Sequence, residues 1–265
     1  LTDVTGVQTC ALPIWIRLNE VQWDPQGEFL VWLEGRSDSG ILVASQRGEA
    51  SVDLNGEISC RGGVGYGGGE FTVRNNLVIF AGKDGRLYRR ELTPQKTQPI
   101  TPAYGSVASP QISPDGRHVL YVFSDGSQDA LGVVDASGVF WPQKLIQGAD
   151  FYMQPVWHPD GKMIAWVEWN HPNMPWDGTT LKLASLQTDE LPTINMIQTV
   201  AGDEETVIFQ PEFSPDGQWL SYLTSVDEWD ALVLVNLNTM EKQVVYQPLD
   251  LHLMEPAWVQ GVRTY

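Results

Sequence analysis

The stretch "EWNHPNMPWDGT", residues 168–179, sets Glu168, His171 and Asp177 among two tryptophans and two prolines. A carboxylate, an imidazole and a second carboxylate are the residue types of general acid–base chemistry. A second group, Glu204-Glu205 in "AGDEETVIFQP", pairs two carboxylates. Its plainer reading is an acidic, solvated loop ahead of a strand, because exposed carboxylates are the norm. A third, "GGVGYGGG" at 62–69, has the composition of a phosphate cradle. Neither a Lys-Ser/Thr pair nor a helix pattern follows it, as such a cradle requires. It reads instead as a tight approach of backbone to backbone leading into a strand. What these residues can do depends on the elements that hold them.

Bulk properties narrow the classes. Apolar residues make up 42% of the 265 and charged ones only 18%, so the chain is globular, with enough length for a large core. A formal charge of −17 leaves too little Lys and Arg to neutralise phosphates, which excludes nucleic acid and anionic membrane surfaces as partners. No apolar run is long enough to span a bilayer. Cys10 and Cys60 lie too far apart for a CxxC-type metal site and are too few for a disulfide framework. No cofactor and no metal is expected. "VTGVQTCALPI" (4–14) reads back, codon by codon, into a sequencing-adapter-like oligonucleotide, so residues 1–14 are set aside as an artefact or a disordered leader. Cys60 is then the one native thiol expected, in keeping with a reducing, cytoplasmic setting; a periplasmic one stays open.

Behind the three groups lies a repeat. "WDPQGEFLVWL" (23–33), "ISPDGRHVLYVF" (112–123), "WHPDGKMIAWVEW" (157–169) and "FSPDGQWLSYLT" (213–224) are versions of one unit, and "EPAW" (255–258) resembles the start of another. Pro presets φ, Asp bonds the local backbone and Gly supplies positive φ, so Pro114-Asp115-Gly116, Pro159-Asp160-Gly161 and Pro215-Asp216-Gly217 are expected as hairpin turns. His158 stands where Ser113 and Ser214 stand in sister repeats, which gives it a turn role and not a metal one. The runs after the turns, such as "MIAWV", are apolar on both faces and predict strands packed between other sheets. "GGGEFTVRNNLVIFAGKDGRLYRREL" (67–92) keeps the strand pattern without the Pro-Asp-Gly turn.

Units of roughly 40–50 residues with about four short strands each indicate an all-β fold, a β-propeller of four-stranded blades. The spacing predicts repeats near 21–60, 65–105, 109–145, 150–190 and 205–247, and the start of another at 253–265. Residues 15–265 thus form one incomplete propeller of about five blades and part of another, whose unclosed face and strand edges are expected to favour association.

"EWNHPNMPWDGTTLKLASL", with "GADFYMQPVWHPDGKMIAW", "ETVIFQPEFSPDGQWL", "GYGGGEFTV" and "LYRREL" in the same order, resembles the propeller of bacterial prolyl-oligopeptidase-family serine peptidases of the dipeptidyl aminopeptidase and acylaminoacyl peptidase type. The likeness runs from about Val21 to Tyr265. It departs at "RGGVGYGGG", where the family carries a His-Glu pair and this chain has Gly63, Val64 and Gly65, so no role of that pair carries over.

The resemblance implies a partner, a C-terminal α/β-hydrolase domain with its Ser nucleophile in a G-x-S-x-G elbow. No such motif occurs in these 265 residues, and His118, His158, His171 and His252 all lie in or beside propeller repeats. The expectation is a non-catalytic portion, inactive alone, that gates short peptide substrates and helps recognise their ends. By that resemblance Glu204 and Glu205 become candidates for anchoring a substrate ammonium. Glu168, His171 and Asp177 become candidates for lining the chamber. A non-enzymatic Tol-type propeller binding a protein partner is the alternative, since Tol-type propellers share the S-P-D-G turns.

Overall fold

The computed structural model describes residues 16–93, 96–188, 190–226 and 229–265, so the segment set aside at 1–14 lies outside it. Twenty strands form five separate four-stranded antiparallel sheets, and no helix occurs among the described residues. In chain order the first blade is β1 (Ile16–Trp23), β2 (Phe29–Arg36), β3 (Ser39–Gln46) and β4 (Val52–Asp53). The second is β5 (Phe71–Arg74), β6 (Leu77–Ala81), β7 (Leu87–Glu91) and β8 (Thr97–Pro99). The third holds β9 (Ser106–Ile112), β10 (His118–Ser124), β11 (Asp129–Asp135) and β12 (Gln143–Ile146), and the fourth β13 (Phe151–Trp157), β14 (Met163–Trp169), β15 (Thr180–Thr188) and β16 (Pro192–Gly202). The fifth is β17 (Ile208–Phe213), β18 (Trp219–Val226), β19 (Trp229–Asn236) and β20 (Lys242–Tyr246). Each sheet is ordered as it runs in the chain, and the first strands of successive sheets lie against one another, β5 on β9, β9 on β13 and β13 on β17. That is the incomplete β-propeller the repeat predicts.

The core lies between the blades. Along β10, Val119, Tyr121 and Phe123 pack toward Leu77 and Ile79 of the second blade, while Leu120 and Val122 pack toward Ile164 and Trp166 of the fourth. A strand with two apolar faces is therefore a strand with two neighbours, which is why its run is hydrophobic without alternation. At the start of the chain the rule lapses. On β1, Ile16, Leu18, Val21 and Trp23 are all more than half exposed, the bare blade face expected of an open propeller.

The Pro-Asp-Gly turns form as the residues dictate. Gly116, Gly161 and Gly217 have φ of 76°, 73° and 69°, and Gly27 in the variant Pro-Gln-Gly turn has 70°. Ser113 Oγ donates to Asp115 Oδ1 (2.6 Å) and accepts from His118 N (2.9 Å), and Ser214 repeats the pattern with Asp216 (2.6 Å) and Trp219 N (3.0 Å). The Ser214 hydroxyl and the Gln218 N–H hold the Asp216 carboxyl below the usual range. In the second blade, Asn75 and Asn76 take φ of 52° and 61° and make the turn without Pro or Gly. Both residues are left-handed, as a type I′ hairpin turn requires, and Asn is the side chain that tolerates it.

A second device repeats at the axis. Ser109, Gln154 and Gln210 have φ of 48°, 52° and 51°, each precedes a proline, and each sits at a register slip between the first and second strands of its blade. These are β-bulges that turn the residue toward the channel. Gln154 Oε1 accepts from Gln210 N (2.7 Å), and Gln210 Oε1 accepts from Thr264 N (2.6 Å). Residues 253–265, expected to start another blade, form no strand. They lie instead against the first strands of the third, fourth and fifth blades, at Ser109, Tyr152, Gln154 and Gln210. Their backbone is held by Gln210, by Gln154 Nε2 donating to Val262 O (3.2 Å), and by a parallel bridge of Gln260 to Gly68.

Candidate functional site

At the end of the propeller away from the Pro-Asp-Gly turns, three unrepeated segments converge. They are the glycine run 61–69, the loop 170–179 between β14 and β15, and residues 252–260.

The glycine run does what its composition implies. A Cβ on Gly62 would lie 2.0 Å from the Gly68 carbonyl oxygen, and one on Gly68, already at φ +85°, would lie 2.2 Å from that of Gln260. The segment is backbone laid on backbone, which only glycine allows. Gln260 N donates to Gly67 O (2.8 Å), and its buried side chain reaches Ser109 Oγ (3.0 Å) and Tyr152 O (2.9 Å). The run and the last residues of the chain are thereby one unit.

The loop 170–179 is fixed from within and at both ends. His171 N donates to Asp150 Oδ2 (2.9 Å), Asp177 Oδ2 accepts from Met174 N (2.8 Å), and Asn173 Nδ2 donates to Glu204 O (2.7 Å). The His171 ring stands edge-on to Phe151 at 4.8 Å, Trp169 stacks on Phe151 at 5.2 Å, and Trp176 lies against Trp258 at 4.3 Å.

Glu168 is placed otherwise. Its Oε2 accepts from Trp166 Nε1 (2.7 Å) and its Oε1 lies 3.5 Å from Lys182 Nζ. The first blade repeats this pairing, with Trp32 Nε1 donating to Glu34 Oε1 (2.8 Å), so Glu168 belongs to the blade pattern Trp-x-Glu. Among the described residues no hydrogen bond joins any two of Glu168, His171 and Asp177. Glu204 and Glu205 are exposed on the adjoining loop, where the Glu205 N–H is turned to Asp203 Oδ1 (2.9 Å). His158 fills its turn role. Nδ1 lies 2.6 Å from Asp160 Oδ1 and Nε2 donates to Gly217 O of the next blade (2.9 Å). Among the described residues no three His, Cys, Asp or Glu side chains are grouped as a metal site.

The cavities on this face were not legible in the sequence. One, about 110 Å³, is walled by Tyr66, Phe151, Met153, Trp176 and Trp258, with Asp129 at its edge. Burial pushes the Asp129 carboxyl up, more than the Ser124 hydroxyl pulls it down. A larger cavity of about 610 Å³ adjoins through Gly65 and Tyr66 and carries Arg61 and Lys83. A third, about 360 Å³, adjoins on the other side through Trp176 and Ala257 and holds Asp230, His252 and Glu255. Asp230 is buried and accepts from Leu253 N (2.7 Å) and Met254 N (2.9 Å), which seats the segment that carries Trp258. Rings contributed by residues 66, 176 and 258 meet only through the fold. The "EPAW" echo is the one sequence signal that marks Trp258 at all.

Fold and site together define a class: a β-propeller with a regular turn face and an opposite face of irregular, cavity-bearing loops. Among solved structures, a puromycin-hydrolysing peptidase from Mycobacterium tuberculosis matches at 25% identity over 93% of this chain and 41% of its own, with a TM-score of 0.80. A crystal structure of puromycin hydrolase gives the same identity and coverages with a TM-score of 0.82. TolB from Acinetobacter baumannii, at 14% identity and a TM-score of 0.59, shares the fold. No family model and no curated protein matches the sequence. The chain spans 41% of the length of the peptidases it matches, and it has the build of the propeller portion of a prolyl-oligopeptidase-family peptidase, in accord with the resemblance read from its motifs.

Proposed function

We propose that this propeller serves a serine peptidase by receiving short peptides on its irregular face and presenting them to an α/β-hydrolase domain. The observation that carries the reading is the aromatic cavity at the junction of the three unrepeated segments. Tyr66, Trp176 and Trp258 place three rings in series, with centroid spacings of 6.1 and 4.3 Å. Exposed aromatic surface on rigid loops is how a scaffold holds a flexible, partly apolar ligand. The 25% identity across nearly the whole chain to peptidases that hydrolyse puromycin supports the same reading. The Tol-type alternative is less well supported, since its likeness is of fold alone. Glu204 and Glu205 remain candidates for contact with a substrate end through their place beside the 170–179 loop, as do His171 and Asp177 within it.

The test uses the purified 265-residue chain. Its tryptophan fluorescence should change saturably on titration with Ala-Phe-Ala, and Trp258→Ala should weaken binding at least tenfold. No dipeptide p-nitroanilide should be turned over. Failure of Ala-Phe-Ala to bind, or equal affinity in the Trp258→Ala variant, would sink the proposal.

A further inference from the structure

We infer that the aromatic cavity is a cage for a quaternary ammonium head group, with Tyr66, Phe151, Trp176 and Trp258 as its walls and Asp129 as the counter-ion. It shares with the peptide reading above only that this cavity takes a ligand. The Tyr66 ring meets that of Trp258 at 69°, and Trp176 meets Trp258 at 46°. Parallel stacked rings make a platform for a flat ligand, whereas walls standing at angles enclose a rounded one. The space they leave, about 110 Å³, is well below the roughly 300 Å³ at which pockets for drug-sized ligands begin. It holds about four water-sized groups, which matches the nitrogen and three methyls of a trimethylammonium head.

Charge selects the ligand. Among the described residues, Asp129 is the only acidic or basic side chain in the lining. The "DAL" that opens β11 at 129–131 recurs in β19 at 230–232, and the two aspartates are used differently. Asp230 accepts from Leu253 N and Met254 N. Asp129 is left with the Ser124 hydroxyl, and burial pushes its carboxyl up more than that bond pulls it down. A half-buried carboxylate at the rim of an apolar space is costly until a counter-charge arrives. Ring faces carry the negative side of the aromatic quadrupole and hold a cation within about 6 Å of their centroids. A primary ammonium presents three donors. Here it would find the Gln260 amide already tied to Ser109 Oγ and Tyr152 O, and would turn N–H groups onto carbon. A quaternary ammonium has no donor to satisfy, so the lining that penalises the one accepts the other.

The experiment is a tryptophan fluorescence titration of the purified chain with tetramethylammonium chloride, methylammonium chloride and tert-butanol, with sodium chloride holding the ionic strength constant. tert-Butanol has the shape without the charge, and methylammonium has the charge with its three donors. Tetramethylammonium should change the fluorescence saturably and bind about fivefold or more tighter than either control. Asp129→Asn should weaken tetramethylammonium about fivefold or more and leave tert-butanol unchanged, and Trp258→Leu should weaken both. Unchanged far-UV circular dichroism would show that the variants fold, and the comparison of the three ligands on the unsubstituted chain needs no variant. Tetramethylammonium binding no tighter than tert-butanol, or equally well to Asp129→Asn, would overturn the cage. Failure of tetramethylammonium where Ala-Phe-Ala binds would overturn it too and leave the peptide reading standing. Saturable tetramethylammonium binding where Ala-Phe-Ala fails would support the cage and remove the peptide reading alone.

Discussion

The two ends of this propeller are built on opposite economies of sequence. At the turn end, blades three, four and five spend the same few residues on the same bonds: a Ser or His, a Pro-Asp-Gly and a return to the second strand. At the other end nothing repeats, and the glycine run, the 170–179 loop and the last residues meet side chains from up to about 200 positions away. The turn face closes each turn on its own Ser and Asp, with His158 alone of the three turn-preceding residues reaching the next blade at Gly217 O. The loop face satisfies its groups between segments and leaves aromatic surface over. Repetition marks what the fold needs, and departure from it marks where a ligand can be served.

Substitutions should separate the two ends. Trp166 is fully buried between the third and fourth blades, so Trp166→Ala should cost about 3–5 kcal/mol. Chemical denaturation would read this, and a loss under 1 kcal/mol would contradict a core lying between blades. Gly217→Ala, at φ 69° with its Cβ 2.6 Å from His158 Nε2, should cost about 1–2 kcal/mol and leave Ala-Phe-Ala binding unchanged. On the loop face the pattern should invert. Trp176→Ala should lower stability by under about 1 kcal/mol, as partly exposed sites do, yet weaken peptide binding about tenfold. A variant that lost stability and binding in proportion would erase the distinction between the ends.

The smallest effect depends on pH. Burial, and next the neighbouring Glu70 carboxylate, push the Glu20 carboxyl up to about 7 from an ordinary 4.5, against hydrogen bonds from Gln22 and the Glu70 N–H. Folding therefore takes up a proton between those values, and stability falls as pH rises through that window. Glu20→Gln should raise the Tm by a few degrees at pH 8 and change it little at pH 4.5. Thermal melts at the two pH values check it, and a gain confined to pH 4.5 would reverse the sign.

Much of this was readable in the residues. The Pro-Asp-Gly turns, the two-faced strands and the role of His158 follow from local chemistry, and the structure forms them as the sequence predicts. The glycine run was readable as close backbone, though not as the wall of a cavity. Gln154-Pro155 and Gln210-Pro211 repeat visibly in the sequence, but their bulges depend on the next blade, or on the last residues of the chain, to take up the side-chain amide. Glu168 looked like an acid because the Trp-x-Glu pairing shows itself only when "VWLEG" and "AWVEW" are compared with partners in view. The aromatic cavity itself was out of reach. Tyr66, Trp176 and Trp258 are ordinary aromatics until the fold sets them side by side.

The amide relay at the axis has one more consequence. Gln154 gives its oxygen to the backbone of Gln210, and Gln210 gives its own to Thr264, at 2.7 and 2.6 Å. One glutamine side chain is thus the spacer at two successive joints, and it is a covalent length that packing cannot stretch. That ruler gauges the rotation from the fourth sheet to the fifth and fixes the last residues of the chain against the fifth, so the angular step at this end of the propeller is set by the length of a glutamine side chain.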